Sequence, residues 1–81
     1  AKYDPLCNHL KTQSKAEIVM TFQEIEAVLG SKLPPSAHKH SAWWAKGEAG
    51  RHVQKRAWLD AGYIVENLDQ FRQRVTFKRS R

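Results

Sequence analysis

The sequence predicts a small α/β domain of the α+β kind: three to four short helices with a small antiparallel three-stranded sheet. Three observations lead there. The chain has 81 residues, room for one thin-cored domain that buries only about 60% of its unfolded surface. Ile18-Val19-Met20, Tyr63-Ile64-Val65 and Val75-Thr76-Phe77 are short apolar runs rich in β-branched and aromatic residues, which read as strands. Helix start and stop signals stand between them, at Asp4-Pro5, Thr21, Gly30, Ser36 and Gly62. Hydrophobic residues are 41% and charged residues 27%, the balance of a folded domain rather than a disordered tail.

The first helix starts with Asp4 as N-cap and Pro5 at the first helical position. Leu6, Leu10 and Cys7 give it an apolar side, and it runs through about Gln13. Ile18-Val19-Met20 follows as a strand. Thr21 caps the second helix, and Glu24 three residues on completes a capping box. Phe22, Ile25, Val28 and Leu29 keep helical spacing, and Gly30 stops the helix. Leu33-Pro34-Pro35 is a rigid connector, after which Ser36 caps a third helix over 37–46. At about 100° per residue, Ala37, His40, Ser41 and Trp44 share one side; Lys39, Ala42, Trp43 and Lys46 share the other. Gly47 and Gly50 bracket a loop. A fourth helix over 52–61 turns Val53, Ala57, Trp58 and Ala61 inward and His52, Lys55, Arg56 and Leu59 outward. Gly62 ends it. Two strands then form a hairpin with its tip at 67–73, and residues 79–81 read as a loose basic tail. The whole chain, 1–81, is one domain.

Charge is the strongest functional signal. Fourteen Lys and Arg against eight Asp and Glu leave +6. Lys32, Lys39, Lys46, Arg51, Lys55 and Arg56 oppose Glu48 alone over residues 32–56, a net of +5. Arg72, Arg74, Lys78, Arg79 and Arg81 make residues 72–81 another +5 block with no acid. Residues 1–31 net −1 and residues 57–71 net −3. Positive charge gathered in two blocks points to a polyanionic partner.

Enzyme chemistry finds little support. Glu24 and Glu26 point apart on a helix, and Glu48, Asp60, Glu66 and Asp69 have no motif spacing for a metal-dependent nuclease. His38 and His40 splay about 200° apart on a helix and cannot chelate one ion. One of the two is expected packed and the other exposed. Cys7 reads as a small buried hydrophobe. No glycine-rich phosphate loop is present. The expectation is a protein that is not an enzyme, with no cofactor and no metal. No apolar run reaches the about 18 residues of a membrane span. A single cysteine and an N-terminus without an apolar signal segment point to the cytoplasm.

Two resemblances sharpen this. Thr21-Phe22-Gln23-Glu24-Ile25-Glu26-Ala27-Val28-Leu29-Gly30, a helix ending in Leu-Gly behind a strand, resembles the opening of many winged helix-turn-helix readers. Ala57-Trp58-Leu59-Asp60-Ala61-Gly62-Tyr63 resembles their recognition-helix exit into the wing. One extra helix between Gly30 and Gly62 departs from that pattern. The chain is also similar to a small, largely uncharacterised bacterial domain family whose members stand alone or are fused to nuclease domains. The matching segments are Tyr3-Asp4-Pro5-Leu6, Thr21-Phe22 with Glu24-Ile25 and Leu29-Gly30, Leu33-Pro34 with Ser36-Ala37, Trp43-Trp44, His52 with Gln54, Ala57-Trp58-Leu59 with Ala61-Gly62-Tyr63, and Val75-Thr76-Phe77. That resemblance implies a DNA-related module and supplies no catalytic residue.

The expected function is therefore binding of double-stranded DNA, as a transcription regulator or as the targeting domain of a nuclease or defence system. The helix starting near His52 is expected in the major groove, with Arg51, His52, Gln54, Lys55 and Arg56 as its readers. The helix over 37–46 is the other candidate, through Lys39, Trp43 and Lys46. Trp43 either stacks on the ligand or covers the rim of the core. Arg72 and Arg74 at the hairpin tip are expected on the DNA backbone or in the minor groove, as a wing is, and Lys78 and Arg79 on phosphates. The alternative is a protein-interaction module that docks onto an acidic partner, or a homodimer; RNA binding through Trp43 is a third reading. No membrane partner is expected.

Overall fold

The order of elements is α1 (Asp4–Lys11), β1 (Glu17–Thr21), α2 (Phe22–Leu29), α3 (Pro35–Lys39), a 3-10 turn (Ser41–Trp43), α4 (Val53–Leu59), β2 (Tyr63–Asp69) and β3 (Arg74–Arg79). The computed structural model describes residues 2–45 and 53–80. Four helices and one antiparallel sheet make it an α+β domain, and no described helix is long and apolar enough to cross a membrane.

The last strand is the middle one: the sheet order is β1-β3-β2. Alternation along each strand gives the sheet two unlike faces. Ile18 and Met20 of β1 lie opposite Phe77 and Val75 of β3, which lie opposite Val65 and Leu68 of β2. This face meets the helices. The other face carries Val19, Thr76 and Asn67 across its middle, with Thr21, Arg74 and Asp69 in the next row. A bulge between Val65 and Asn67 lets seven residues of β2 pair with six of β3 and keeps both faces in register.

Helix α2 begins and ends as the sequence demands. Thr21 accepts from the Glu24 amide and the Glu24 carboxylate accepts from the Thr21 amide, at 3.0 and 2.8 Å. Gly30 closes the helix with φ 75°, a left-handed conformation that glycine adopts without strain. Helix α1 differs from expectation: Tyr3 is the N-cap, and Asp4 is already helical.

The core is aromatic. Trp44, Tyr63, Phe22 and Phe77 are fully buried beside Leu6, Leu10, Ile25 and Val75. Trp44 stacks between Phe22 and Trp58, with ring centroids 5.1 and 5.6 Å away. Large rings are an efficient way to bury area in so small a domain.

The helix expected over 37–46 is broken. α3 stops at Lys39, His40 is extended, and a 3-10 turn carries the chain to Trp44. Residues adjacent on a helix diverge by about 100°, so a continuous helix would aim Trp43 and Trp44 in well-separated directions. The break lets both rings join the cluster, 4.7 Å apart. It also turns His40 and Ser41 outward, where helical spacing had placed them with Ala37 and Trp44.

Of the tail expected over 79–81, Arg79 belongs to the sheet and Ser80 is tied to the chain beside it. Arg79 is the last residue of β3, and its amide donates to the Ala16 carbonyl at 2.8 Å. The amide of Ser80 donates to Gly62 at 2.8 Å. Arg81 lies outside the described residues.

Candidate nucleic-acid interface

A four-residue turn, Gln70–Gln73, joins β2 to β3 and carries the densest exposed charge of the second basic block. Its sequence, Asp69-Gln70-Phe71-Arg72-Gln73-Arg74, builds its own brace. The Asp69 carboxylate accepts from the Arg72 amide at 2.9 Å, a local bond that short acidic side chains make at turns. Gln73 takes a left-handed φ of 56°, uncommon for a residue with a Cβ. Its carbonyl accepts from the Phe22 amide at 2.8 Å, which ties the tip to the start of α2. On the other side, Gln70 Nε2 donates to the Ala37 carbonyl at 3.0 Å. The tip is thus fastened to α2 and α3 at once.

Fastening the tip leaves four side chains in solvent, those of Phe71, Arg72, Gln73 and Arg74. Arg72 and Arg74 are exposed, and Phe71 is 92% exposed. The Arg72 amide bonded to Asp69 holds that carboxyl below the usual carboxylate range, and the guanidinium charges of Arg72 and Arg74 add to the effect. Asp69 is therefore an anion beside two cations. Along the same strand, exposed Lys78 reaches Glu66 at 3.7 Å, and Arg72 Nη1 lies 3.5 Å from Asp69. Solvent-exposed pairs of this kind are worth about 0–1 kcal/mol, so a phosphate can take over either cation at little cost.

Lys39 is exposed at the end of α3, two residues past the carbonyl that anchors Gln70. His38 packs edge-on against Phe22, ring centroids 5.2 Å apart, while His40 is exposed.

Helix α4 presents less than expected. Gln54 and Lys55, expected as outward readers, are each only 6% exposed. Gln54 Nε2 donates to the Trp43 carbonyl at 3.2 Å. α4 packs against both α1 and β2, so its buried arc runs from Ala57 through Gln54 and Trp58 to Lys55. That arc is about 160° wide, broader than the stripe a one-sided helix buries. Among the described side chains of α4 only Arg56 and Leu59 are left outside, and Arg56 pairs with Asp60, just past the helix, at 3.5 Å. Lys46, Arg51 and His52 lie outside the described residues.

Two further residues are placed by their packing. Trp43 is half-buried at the core rim, with Tyr3, Trp44 and Trp58 around it at 6.1, 4.7 and 6.3 Å. Of the two expectations for Trp43, this packing meets the one in which it covers the rim of the core. The burial it shares pushes the Tyr3 phenol up from its ordinary value. Arg79, expected on phosphate, is half-buried and structural. Its Nη2 donates to the Gln13 carbonyl at 3.0 Å and to the Tyr63 hydroxyl at 3.1 Å, and the guanidinium lies over the Tyr63 ring. The Tyr63 hydroxyl donates onward to Lys15 at 2.8 Å. This network holds the loop between α1 and β1 against the sheet.

Phe71 is the residue that sequence reasoning passed over. The available signal was an aromatic side chain set among Asp, Gln and Arg in a polar turn. Among the described residues no group of three or more His, Cys, Asp or Glu side chains stands where it could hold a metal ion.

No curated protein and no solved structure matches the chain. A family model does match, over residues 3–80, which take in every element described above. The chain belongs to that family, the domain of unknown function DUF7662.

Proposed function

We propose that this domain binds double-stranded DNA, with its β2–β3 hairpin as a basic wing. The observation that carries the reading is the braced hairpin tip, which holds Arg72 and Arg74 in solvent and is bonded to α3, the helix that carries exposed Lys39. The order of elements and the sheet order β1-β3-β2 resemble those of a winged helix with one helix added, and that resemblance supports the same reading. Lys39, Arg56, Arg72, Arg74 and Lys78 are the exposed cations that would meet phosphates. With Gln54 and Lys55 inside, α4 offers a groove Arg56 alone among the described residues. Phosphate contacts therefore dominate, and sequence preference is modest. Such a module acts as a binder rather than an enzyme, and it suits a cytoplasmic regulator or the targeting domain of a nuclease.

A salt series on duplex DNA, single-stranded DNA and RNA tests this. Five phosphate contacts give a log–log slope of about −4.5 for the duplex. Replacing Arg72 and Arg74 together with Gln should flatten that slope by about 2 and weaken all duplex sequences alike. A flat salt response, or tight binding to an acidic protein that excess duplex does not compete away, would replace this reading with the protein-partner one.

A further inference from the structure

We infer that Phe71 is a wedge that enters the DNA minor groove and opens a base step, an inference that rests on the duplex-binding reading above. A singly exposed apolar residue is ordinary on a protein surface. Phe71 differs in degree and in setting. It is 92% exposed, where the other exposed large hydrophobics, Val19 and Leu59, are at 59% and 46%. It stands at the apex of a hairpin rather than on a face. Its turn is braced at three points: Gln70 to Ala37, Gln73 to Phe22, and Asp69 to the Arg72 amide. A turn tied in this way fixes the backbone that carries the ring, so the backbone loses little freedom on binding.

Charge complementarity selects the occupant. Arg72 is next to Phe71 and Arg74 is three residues on, both exposed, with Lys39 on the helix that the tip touches. The minor groove is about 6 Å wide and walled by phosphates. A narrow tip with a ring at its apex and guanidinium groups behind it fits that channel. An apolar wedge there partly unstacks one base step and bends the duplex toward the major groove, while the arginines gain phosphates on the bent walls. Steps that kink easily, such as TA and CA, are the favoured positions, so site preference arises from deformability.

The test uses the full chain and a duplex of about 30 base pairs with donor and acceptor dyes at its ends and 2-aminopurine at a central TA step. The parental protein, Phe71→Ala and Phe71→Leu are compared, each checked by thermal melt. The parental protein should bend the duplex by about 20–90° and raise 2-aminopurine fluorescence. Phe71→Ala should bind roughly tenfold more weakly, with the bend and fluorescence change lost and the salt slope shallower by the phosphate contacts that the bend brings. Phe71→Leu should retain part of each. If parental and Ala proteins bind and bend alike, or if neither bends the duplex, the wedge is overturned and duplex binding stands. If the parental protein does not bind duplex at all, both fall. If Phe71→Ala instead abolishes self-association in sedimentation with duplex binding unaltered, the ring is a contact between copies and the wedge is overturned.

Discussion

The side-chain amide of Gln70 donates to the carbonyl of Ala37, 33 residues earlier in the chain, at 3.0 Å. The same carbonyl accepts the indole N–H of Trp44 at 2.9 Å. One acceptor with two lone pairs thus joins the hairpin tip, α3 and the aromatic core. It couples the part of the molecule that faces solvent to the part that holds the fold.

Gln70→Ala removes one donor and leaves the Ala37 carbonyl satisfied by Trp44. The cost in global stability should be small, about 0.5–1.5 kcal/mol. The local effect should be larger. Amide exchange at Phe71 to Gln73 should speed up while exchange in β1 is unaltered, and duplex affinity should fall. Unchanged exchange at the tip would show that the brace lies elsewhere.

Trp44 and Trp58 are 1% and 2% exposed and stack on each other, while Trp43 is half-buried at the rim. Trp44→Ala and Trp58→Ala should each cost about 3–5 kcal/mol. A domain this small has only about 4–12 kcal/mol in total, so either variant should be marginal at 37 °C. Trp43→Ala should cost clearly less. Thermal melts rank the three, and a ranking led by Trp43 contradicts the packing described.

Arg79→Ala removes donors to the Gln13 carbonyl and the Tyr63 hydroxyl. Charged hydrogen bonds of this type contribute about 1.5–3 kcal/mol, and partial exposure places the expected loss at the lower end. Arg79→Lys should restore it only in part, because an ammonium has donors for both acceptors but lacks the delocalised guanidinium that lies over the Tyr63 ring. A variant that melts normally but binds duplex less well would return Arg79 to the phosphate-contacting set.

Asp69 titrates below its ordinary value of 3.8, chiefly because the Arg72 amide bonds its ionised form. The folded value is below the unfolded one, so the stabilisation is present at neutral pH and is lost as pH falls through the lowered value. A side-chain NMR titration should place the midpoint below 3.8. Asp69→Asn keeps an acceptor for the amide but removes a negative charge beside Arg72 and Arg74, so duplex affinity should rise at neutral pH. A midpoint at or above the ordinary value would mean that the amide bond is not formed in solution.

Local chemistry made much of the fold readable from the chain. Thr21, Glu24 and Gly30 specify α2 through bonds within one helix and one left-handed turn. The three apolar runs specify strands because a half-buried strand needs alternating apolar residues. Segregated charge marked the hairpin as basic. All of these signals lie within a few residues of one another.

What tertiary structure decided depends on partners far away in sequence. Helix α3 does not run on past Lys39: the chain is extended at His40, and beyond that break Trp43 and Trp44 both pack against Trp58. Helical periodicity gives α4 one buried face, but packing against α1 and β2 together widened that face to take in Gln54 and Lys55. Arg79 counts in the sequence as one more tail charge; in the fold, the Gln13 carbonyl and the Tyr63 ring claim it. The same distinction explains Phe71. Composition places it in a polar turn, and only the bonds from that turn to Ala37 and Phe22 hold its ring out in water.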